Sequence, residues 1–148
     1  MKAVIQRVSH AAVFIEDATV GEISLGFVIL LGVGQGDTEA QAEKLWNKIA
    51  KMRIFEDSDG KTNLALADVG GQVMVVSQFT LYADCKKGNR PSFTSAMEPA
   101  EANRLYEYFL ALVRADMGHV AHGEFGAMMD IDLVNSGPFT IILDTETL

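Results

Sequence analysis

The sequence predicts a single mixed α/β domain. Three observations predict it. Short β-prone apolar runs cluster towards both ends of the chain. Two amphipathic stretches of helical length lie between them. The length of 148 residues suits one domain, taken here as residues 1–148, with no Pro-rich hinge to divide it. The strands are too many for a helical bundle, and the helices too few for a doubly wound sheet.

Residues 3–8 and 11–16 read as two strands separated by Ser9-His10, and Asp17-Ala18 as a turn into a strand over 19–23. Residues 27–33 form an unbroken apolar run of strand length, the pattern of a strand covered on both faces, and Gly32-Val33-Gly34-Gln35-Gly36 ends it. A first helix starts at Thr38, because Thr38 and Gln41 have capping-box spacing. Leu45, Ile49 and Met52 make its apolar face, and Lys44, Lys48 and Lys51 lie on another. Asp57-Ser58-Asp59-Gly60 is a turn signal. Residues 72–81 are strand-like through Val73, Met74, Val75 and Val76. A second helix begins near Pro99, buries Leu105, Phe109 and Leu112, and ends at Met117-Gly118. Strands over 119–125, 128–134 and 139–143 close the chain.

Composition narrows the function. The longest apolar stretch is far short of the ~20 residues of a membrane span. Residues 1–7 show no signal-peptide apolar region, so a soluble cytoplasmic protein is expected. One Cys excludes an internal disulfide and a Cys-rich zinc site. A net charge of −8 disfavours generic binding to phosphate backbones, yet the cations are uneven. Lys44, Lys48, Lys51 and Arg53 form one cluster, and Lys86, Lys87 and Arg90 another. Each reads either as a solvated face or as a small docking patch for an RNA end.

Five segments offer groups that could carry chemistry. The glycine turn at 32–36 lacks both the P-loop and the dinucleotide spacing, so it is a turn and not a phosphate cradle. His119 and His122, three apart on a strand, point to opposite faces and lack a third ligand. Cys85 beside Lys86 and Lys87 has the cationic neighbours of a reactive thiol but no nearby base in sequence. Ser77-Gln78-Phe79-Thr80 ends an apolar strand; alternation puts Ser77 and Phe79 on one face and Gln78 and Thr80 on the other. That segment either lines a pocket or completes the hydrogen bonding at the sheet's end. Asn135-Ser136-Gly137-Pro138 reads as a hairpin turn, in which a cis Gly-Pro bond would present two carbonyls to an ammonium group.

Together, Ser77-Gln78-Phe79-Thr80-Leu81 and Asn135-Ser136-Gly137-Pro138-Phe139-Thr140 resemble the two signature motifs of the D-aminoacyl-tRNA deacylase (D-tyrosyl-tRNA(Tyr) deacylase) family. The likeness runs the length of the chain, through Ala3-Val4-Ile5-Gln6-Arg7-Val8, Arg53-Ile54-Phe55-Glu56-Asp57, Arg90-Pro91-Ser92-Phe93-Thr94 and Gly123-Glu124-Phe125-Gly126-Ala127-Met128-Met129. Ser136 stands where Asp is frequent in the family.

The resemblance implies a three-layer α/β/β fold with mixed sheets and two main helices. It implies a homodimer with active sites at the interface, no metal and no cofactor. The substrates it implies are D-aminoacyl-tRNA and mischarged glycyl-tRNA, whose ester is hydrolysed at the tRNA 3′ end; neither membrane nor DNA is a partner. Ser77, Gln78, Phe79 and Thr80 of one subunit would face a cis Gly137-Pro138 of the other. Backbone N–H groups of that segment would hold the oxyanion, with the tRNA 2′-hydroxyl as the activating group. The Gly137 and Pro138 carbonyls would bind the substrate ammonium and reject L side chains sterically. Arg7 would brace that loop. Phe125 and Met129 would be apolar walls, and Lys86, Lys87 and Arg90 would meet acceptor-stem phosphates. Two rival readings are a small-molecule esterase with Thr80 as nucleophile and a non-catalytic RNA-binding dimer.

Overall fold

The computed structural model describes residues 1–148. The order is β1 (Lys2–Ile15), β2 (Ala18–Ile23), β3 (Gly26–Gly32), α1 (Glu39–Ala50), β4 (Phe55–Glu56), β5 (Thr62–Leu64), β6 (Gln72–Ser77), α2 (Pro99–Met117), β7 (Ala121–His122) and β8 (Asp130–Asp144). The main sheet runs β2-β1-β3-β6-β7, with β8 on the other edge of β1; β4 and β5 form a separate pair. β3, β6 and β7 are mutually parallel, and the rest antiparallel, so the sheet is mixed.

β1 makes the layers. Its alternation breaks where Arg7 and Val8 are both buried and Ser9 and His10 both exposed, and its register against β8 slips on both sides of Val8. A flat strand of period two cannot change phase in this way, so β1 bends. Its first half pairs with β3 and its second half with β2, which folds the sheet back over itself. β2 lies so close over β7 that a Cβ at Gly21 would sit 3.1 Å from the His122 carbonyl oxygen. The helices cover the other face, giving the α/β/β arrangement.

The two cores follow from the pleat of β3. Phe27, Ile29 and Leu31 face the helices and pack with Leu45, Ile49, Leu105 and Phe109. Val28 faces the second β layer and packs with Val8, Val13, Met74 and Val76. An apolar residue is therefore needed at nearly every position, which explains the unbroken run. Thr38 precedes α1, and Gln41 Oε1 accepts its N–H at 2.8 Å. Pro99 opens α2 behind Glu98, whose carboxylate accepts the N–H groups of Ala100 and Glu101, and Gly118 at φ +77° closes it. No helix is long and apolar enough to cross a membrane.

The structure corrects five expectations. Residues 3–8 and 11–16 are one bent strand, because β8 pairs across the polar Ser9-His10 step. The turn into β2 is Glu16-Asp17, both at positive φ, rather than Asp17-Ala18. β6 stops at Ser77, and Phe79–Tyr82 is a 3₁₀ turn, so the two-faced alternation of residues 77–80 does not hold. The strand expected over 119–125 is only Ala121–His122, since just these residues find partners on β6. Residues 128–134 and 139–143 are not arms of a hairpin. Residues 130–134 and 139–143 lie on the one strand β8 and run antiparallel to β1, while Met128 and Met129 precede it, so 136–139 is a bulge opposite Arg7.

Candidate active site

A cavity of about 690 Å³ opens at the C-terminal ends of the parallel strands β3 and β6. Three elements wall it: Ser77, Gln78 and Phe79 from the end of β6, Glu98, Pro99 and Ala102 from the start of α2, and Phe125, Met128 and Met129 from the segment before β8. Phe79 is 55% exposed and Met128 91%, so the mouth is apolar and open. The Phe79 ring meets Phe93 edge-on at 5.0 Å, and Phe125 leans on Tyr106 at 6.0 Å. Tyr106 is fixed from below by its hydroxyl, which donates to the Val75 carbonyl at 3.0 Å, and burial pushes its phenol upward.

The end of β6 is organised by backbone bonds. The Gln78 N–H donates to the Leu31 carbonyl at 2.7 Å, continuing the parallel ladder one step past Ser77. The chain then tightens into the 3₁₀ turn, where the N–H of Leu81 returns to the Gln78 carbonyl and that of Ala83 to Thr80. The first N–H groups of such a turn, those of Phe79 and Thr80, have no acceptor within it. The Gln78 side-chain amide donates to Thr80 Oγ1. An amide cannot take a proton, so this contact does not make Thr80 a nucleophile.

Asp37 joins the loop after β3 to this turn. One carboxylate oxygen accepts the Gly34 N–H at 2.6 Å and lies 3.4 Å from the Tyr82 hydroxyl. Burial and this carboxylate together push the Tyr82 phenol up. Lys86, Lys87 and Arg90 sit on an exposed loop pinned at its neck by paired backbone bonds between Asp84 and Ser92. Phe93 follows directly, so the loop stands beside the cavity. No three His, Cys, Asp or Glu side chains converge as a metal site; His122 Nδ1 lies 2.7 Å from the Gly123 carbonyl oxygen.

The second motif is elsewhere. Gly137 and Pro138 are exposed on the bulge of β8, and the peptide between them is cis. Arg7, only 9% exposed, donates from Nε to the Ser136 carbonyl at 3.0 Å and from Nη1 to the Ile54 carbonyl at 2.6 Å. Its guanidinium lies 4.8 Å from the centre of the Phe139 ring. Asn135 ties the neck of the bulge, its Nδ2 donating to the carbonyls of Arg7 and Phe139 at 3.0 and 2.9 Å. The bulge is thus fixed on both flanks and bare at its tip.

The chain brings Ser77, Gln78, Phe79, Phe125 and Met129 together at the cavity, with Thr80 on the adjoining turn. It does not bring Arg7, Gly137 or Pro138 to them. Ser77 is level with Leu31 and Ala3, whereas Arg7 is level with Phe27. The motifs are therefore offset by about 13 Å along the strands and about 14 Å across them. Sequence reasoning missed the wall made by Met97, Glu98 and Ala102, because cavity lining from a helix start has no local signature. It also took Asn135 for an ordinary turn residue, although Asn before a Gly-Pro pair is a residue able to hold two carbonyls.

The profile of the D-Tyr-tRNA(Tyr) deacylase family matches residues 4–144. The D-aminoacyl-tRNA deacylase of Lacticaseibacillus casei (strain BL23) is 58% identical over 146 residues, 99% of each chain. A solved structure named c-Myc DNA Unwinding Element Binding Protein matches with a TM-score of 0.92 at 37% identity, over 97% of this chain and 98% of that one. A "probable eukaryotic D-amino acid tRNA deacylase" shares the fold at 16% identity, with a TM-score of 0.81 over 96% of this chain and 97% of the other.

Proposed function

The chain belongs to the D-Tyr-tRNA(Tyr) deacylase family, and we propose that it acts as a cytoplasmic homodimer in which each site joins the cavity of one copy to the Gly137-Pro138 bulge of the other. Its activity is that of a D-aminoacyl-tRNA deacylase, a hydrolase that acts on aminoacyl-tRNA. The observation that carries the two-copy site is the separation of the motifs within one chain. A bulge fixed by Arg7 and Asn135, yet bare at its tip, is a surface formed to enter something else. Exposed apolar residues near it supply the contact area: Ile142 is 75% exposed and Val134 45%.

An aminoacyl ester is already activated, so the site needs placement and charge stabilisation more than a strong nucleophile. In this reading the N–H groups of the Ser77, Gln78, Phe79 and Thr80 segment hold the ester oxygen as negative charge develops. The terminal 2′-hydroxyl of the tRNA activates the attack. The amide against Thr80 Oγ1 supports this over a Thr80 acyl-enzyme. The carbonyls of Gly137 and Pro138 take the substrate ammonium. With ammonium and ester both fixed, D and L substrates exchange hydrogen and side chain. Backbone at one of those positions rejects every L side chain and leaves D side chains in open space. Glycine has nothing to reject and is also cleaved. Phe79, Phe125 and Met129 receive the apolar faces of the terminal nucleoside, and Lys86, Lys87 and Arg90 meet phosphates. The role is proofreading, returning mischarged tRNA for correct charging.

The test is hydrolysis of radiolabelled D-tyrosyl-tRNA beside L-tyrosyl-tRNA and glycyl-tRNA, with EDTA present. The D and glycyl esters are expected to disappear while the L ester persists. Equal loss of D and L esters overturns the chiral role given to Gly137 and Pro138. Loss of neither leaves the RNA-binding reading in its place.

A further inference from the structure

Helix α1 sorts its charges. Its acidic residues turn towards α2 and are satisfied there. Glu39 pairs with Arg104 at 2.6 Å, and Glu43 accepts the Tyr108 hydroxyl. Trp46, on the same side, donates to Asp116 at 2.7 Å. Lys44, Lys48 and Lys51 follow one another at i, i+4 and i+7 along a different face and are all exposed. With Asn47 and Met52 they line a shallow concavity of about 500 Å³. None of the three is in an ion pair. The carboxylate of Asp144, near the stripe's first lysine, is taken by Lys2 at 3.8 Å. Lys44 instead donates to the Thr145 carbonyl at 3.0 Å. Arg53 continues the stripe past the helix end, held to Asn63 by two hydrogen bonds, one of them to the carbonyl at 2.8 Å. A chain of net charge −8 thus concentrates four of its twelve cations in ten residues and leaves them free of carboxylates.

The stripe has a direction. Its last lysine, Lys51 at the C-cap of α1, is three residues before Ile54, whose carbonyl accepts Arg7 Nη1, and the same guanidinium holds the Ser136 carbonyl beside Gly137. The stripe therefore ends at the brace of the bulge and runs away from it for about 10 Å along α1. We infer that the Lys44, Lys48 and Lys51 stripe, extended by Arg53, is a docking surface for the sugar–phosphate backbone of the tRNA acceptor stem. The inference rests on the reading above, in which the bulge stands over the 3′-terminal ester. RNA whose end is held by the bulge must leave past neighbouring protein, and this is the neighbouring surface with uncompensated positive charge. Lysines are point charges on flexible stems, so the contact reads phosphate position and not base sequence. That suits an enzyme whose substrates differ in tRNA sequence but share a duplex stem. The stripe is distinct from the Lys86, Lys87 and Arg90 loop, which stands beside the cavity itself.

The test compares wild type with Lys44→Gln, Lys48→Gln and Lys51→Gln combined, three exposed positions, two of them inside α1, where Gln is a good helix former, and one at its C-cap. Two substrates are used: D-tyrosyl-tRNA, and a D-tyrosyl-CCA trinucleotide that has no stem. On tRNA, KM is expected to rise about tenfold or more with kcat unchanged, and the log–log salt dependence to flatten by roughly 2–3. On the trinucleotide both constants stay at wild type. An unchanged KM and salt slope on tRNA overturns the inference, as does an equal loss on both substrates. Binding of uncharged tRNA, followed by fluorescence anisotropy across a salt series, separates this inference from the reading beneath it. If wild type cleaves no D ester but the variant still loses salt-dependent tRNA binding, the deacylase reading fails and the stripe stands. If tRNA binding is the same in both proteins, the stripe serves another anionic partner and the inference falls.

Discussion

Replacing Gly137 by Ala tests the bulge most directly. Gly137 has φ +126°, a region L residues rarely adopt, and its added Cβ would sit 2.6 Å from Arg7 Nη2 and 3.3 Å from the Phe139 nitrogen. The backbone conformation alone costs about 1–3 kcal/mol. The contact cannot be relieved freely, because Arg7 is held by the carbonyls of Ile54 and Ser136. Swinging it away forfeits at least one charged hydrogen bond, about 1.5–3 kcal/mol. If the bulge yields in part, the net loss is about 3 kcal/mol, a fall in Tm of roughly 6–12 °C. The proposed function adds a second readout. Moving the Gly137 carbonyl by about 1 Å should lower kcat/KM for D-tyrosyl-tRNA on the order of 100-fold, or raise L hydrolysis above background. Melting and both hydrolyses are measured together, with activity read well below the variant's Tm. Gly60→Ala is the control: it has φ +73° with nothing within 4 Å, so it carries backbone strain without a clash, and it belongs to neither motif. A Gly137→Ala protein that melts like Gly60→Ala and keeps wild-type D and L rates refutes the reasoning.

Thr80→Ala should keep kcat within about tenfold of wild type if, as proposed, Thr80 contributes backbone and not a nucleophile; a drop of three or more orders of magnitude would place the nucleophile on its hydroxyl. Ile142→Asp should give a monomer by size-exclusion chromatography with light scattering, nearly unchanged in Tm but without deacylation, since Ile142 is 75% exposed in a single chain; a dimeric or active variant would move the interface elsewhere. Acid should weaken the fold through Asp57, Glu39 and Glu101. The N–H groups of Lys61 and Asp59 lower Asp57, and Arg104 lowers both glutamates. Folded values below unfolded ones mean that this stabilisation is present above about pH 4 and disappears as pH falls through the folded values. Urea midpoints between pH 5 and pH 2.5 should fall less steeply for Asp57→Asn than for wild type, and parallel curves would contradict the assignment.

The legible parts of the fold were those with a local cause. The apolar run of β3 reads as doubly covered because both of its faces are covered. The Thr38 and Gln41 pair and the Pro99 start mark their helices because capping is settled within one turn. The errors share one origin. Ser9-His10 and the 136–139 stretch look like chain breaks in one dimension, yet each is a register slip within a single pair of long strands. Only the partner strand distinguishes a bulge from a turn. The 3₁₀ turn after Ser77 was hidden for a similar reason, since its apolar Phe79 and Leu81 continue an alternating pattern that the backbone has already left. For the candidate site, the motif residues were readable as motifs. Their distance from one another in a single chain was not, because it depends on which strands pair with which.

The pairing of Lys2 with Asp144 has a kinetic consequence. The strand that opens the sheet finds its outer neighbour only after almost the whole sequence has been laid down, so the fold has a high contact order and a slow closing step. Until that step, the outer edge of β1 is an open template for other chains, and nascent protein is most prone to aggregate then. The same step creates the bulge, because residues 136–139 are forced outward only when both halves of β8 dock on β1. A chain halted before closure can carry the cavity walls contributed by β6 and α2 but not the Gly137-Pro138 projection. On the proposed function, such an intermediate is inert rather than indiscriminate, and the cell meets no half-folded form that cleaves correctly charged tRNA.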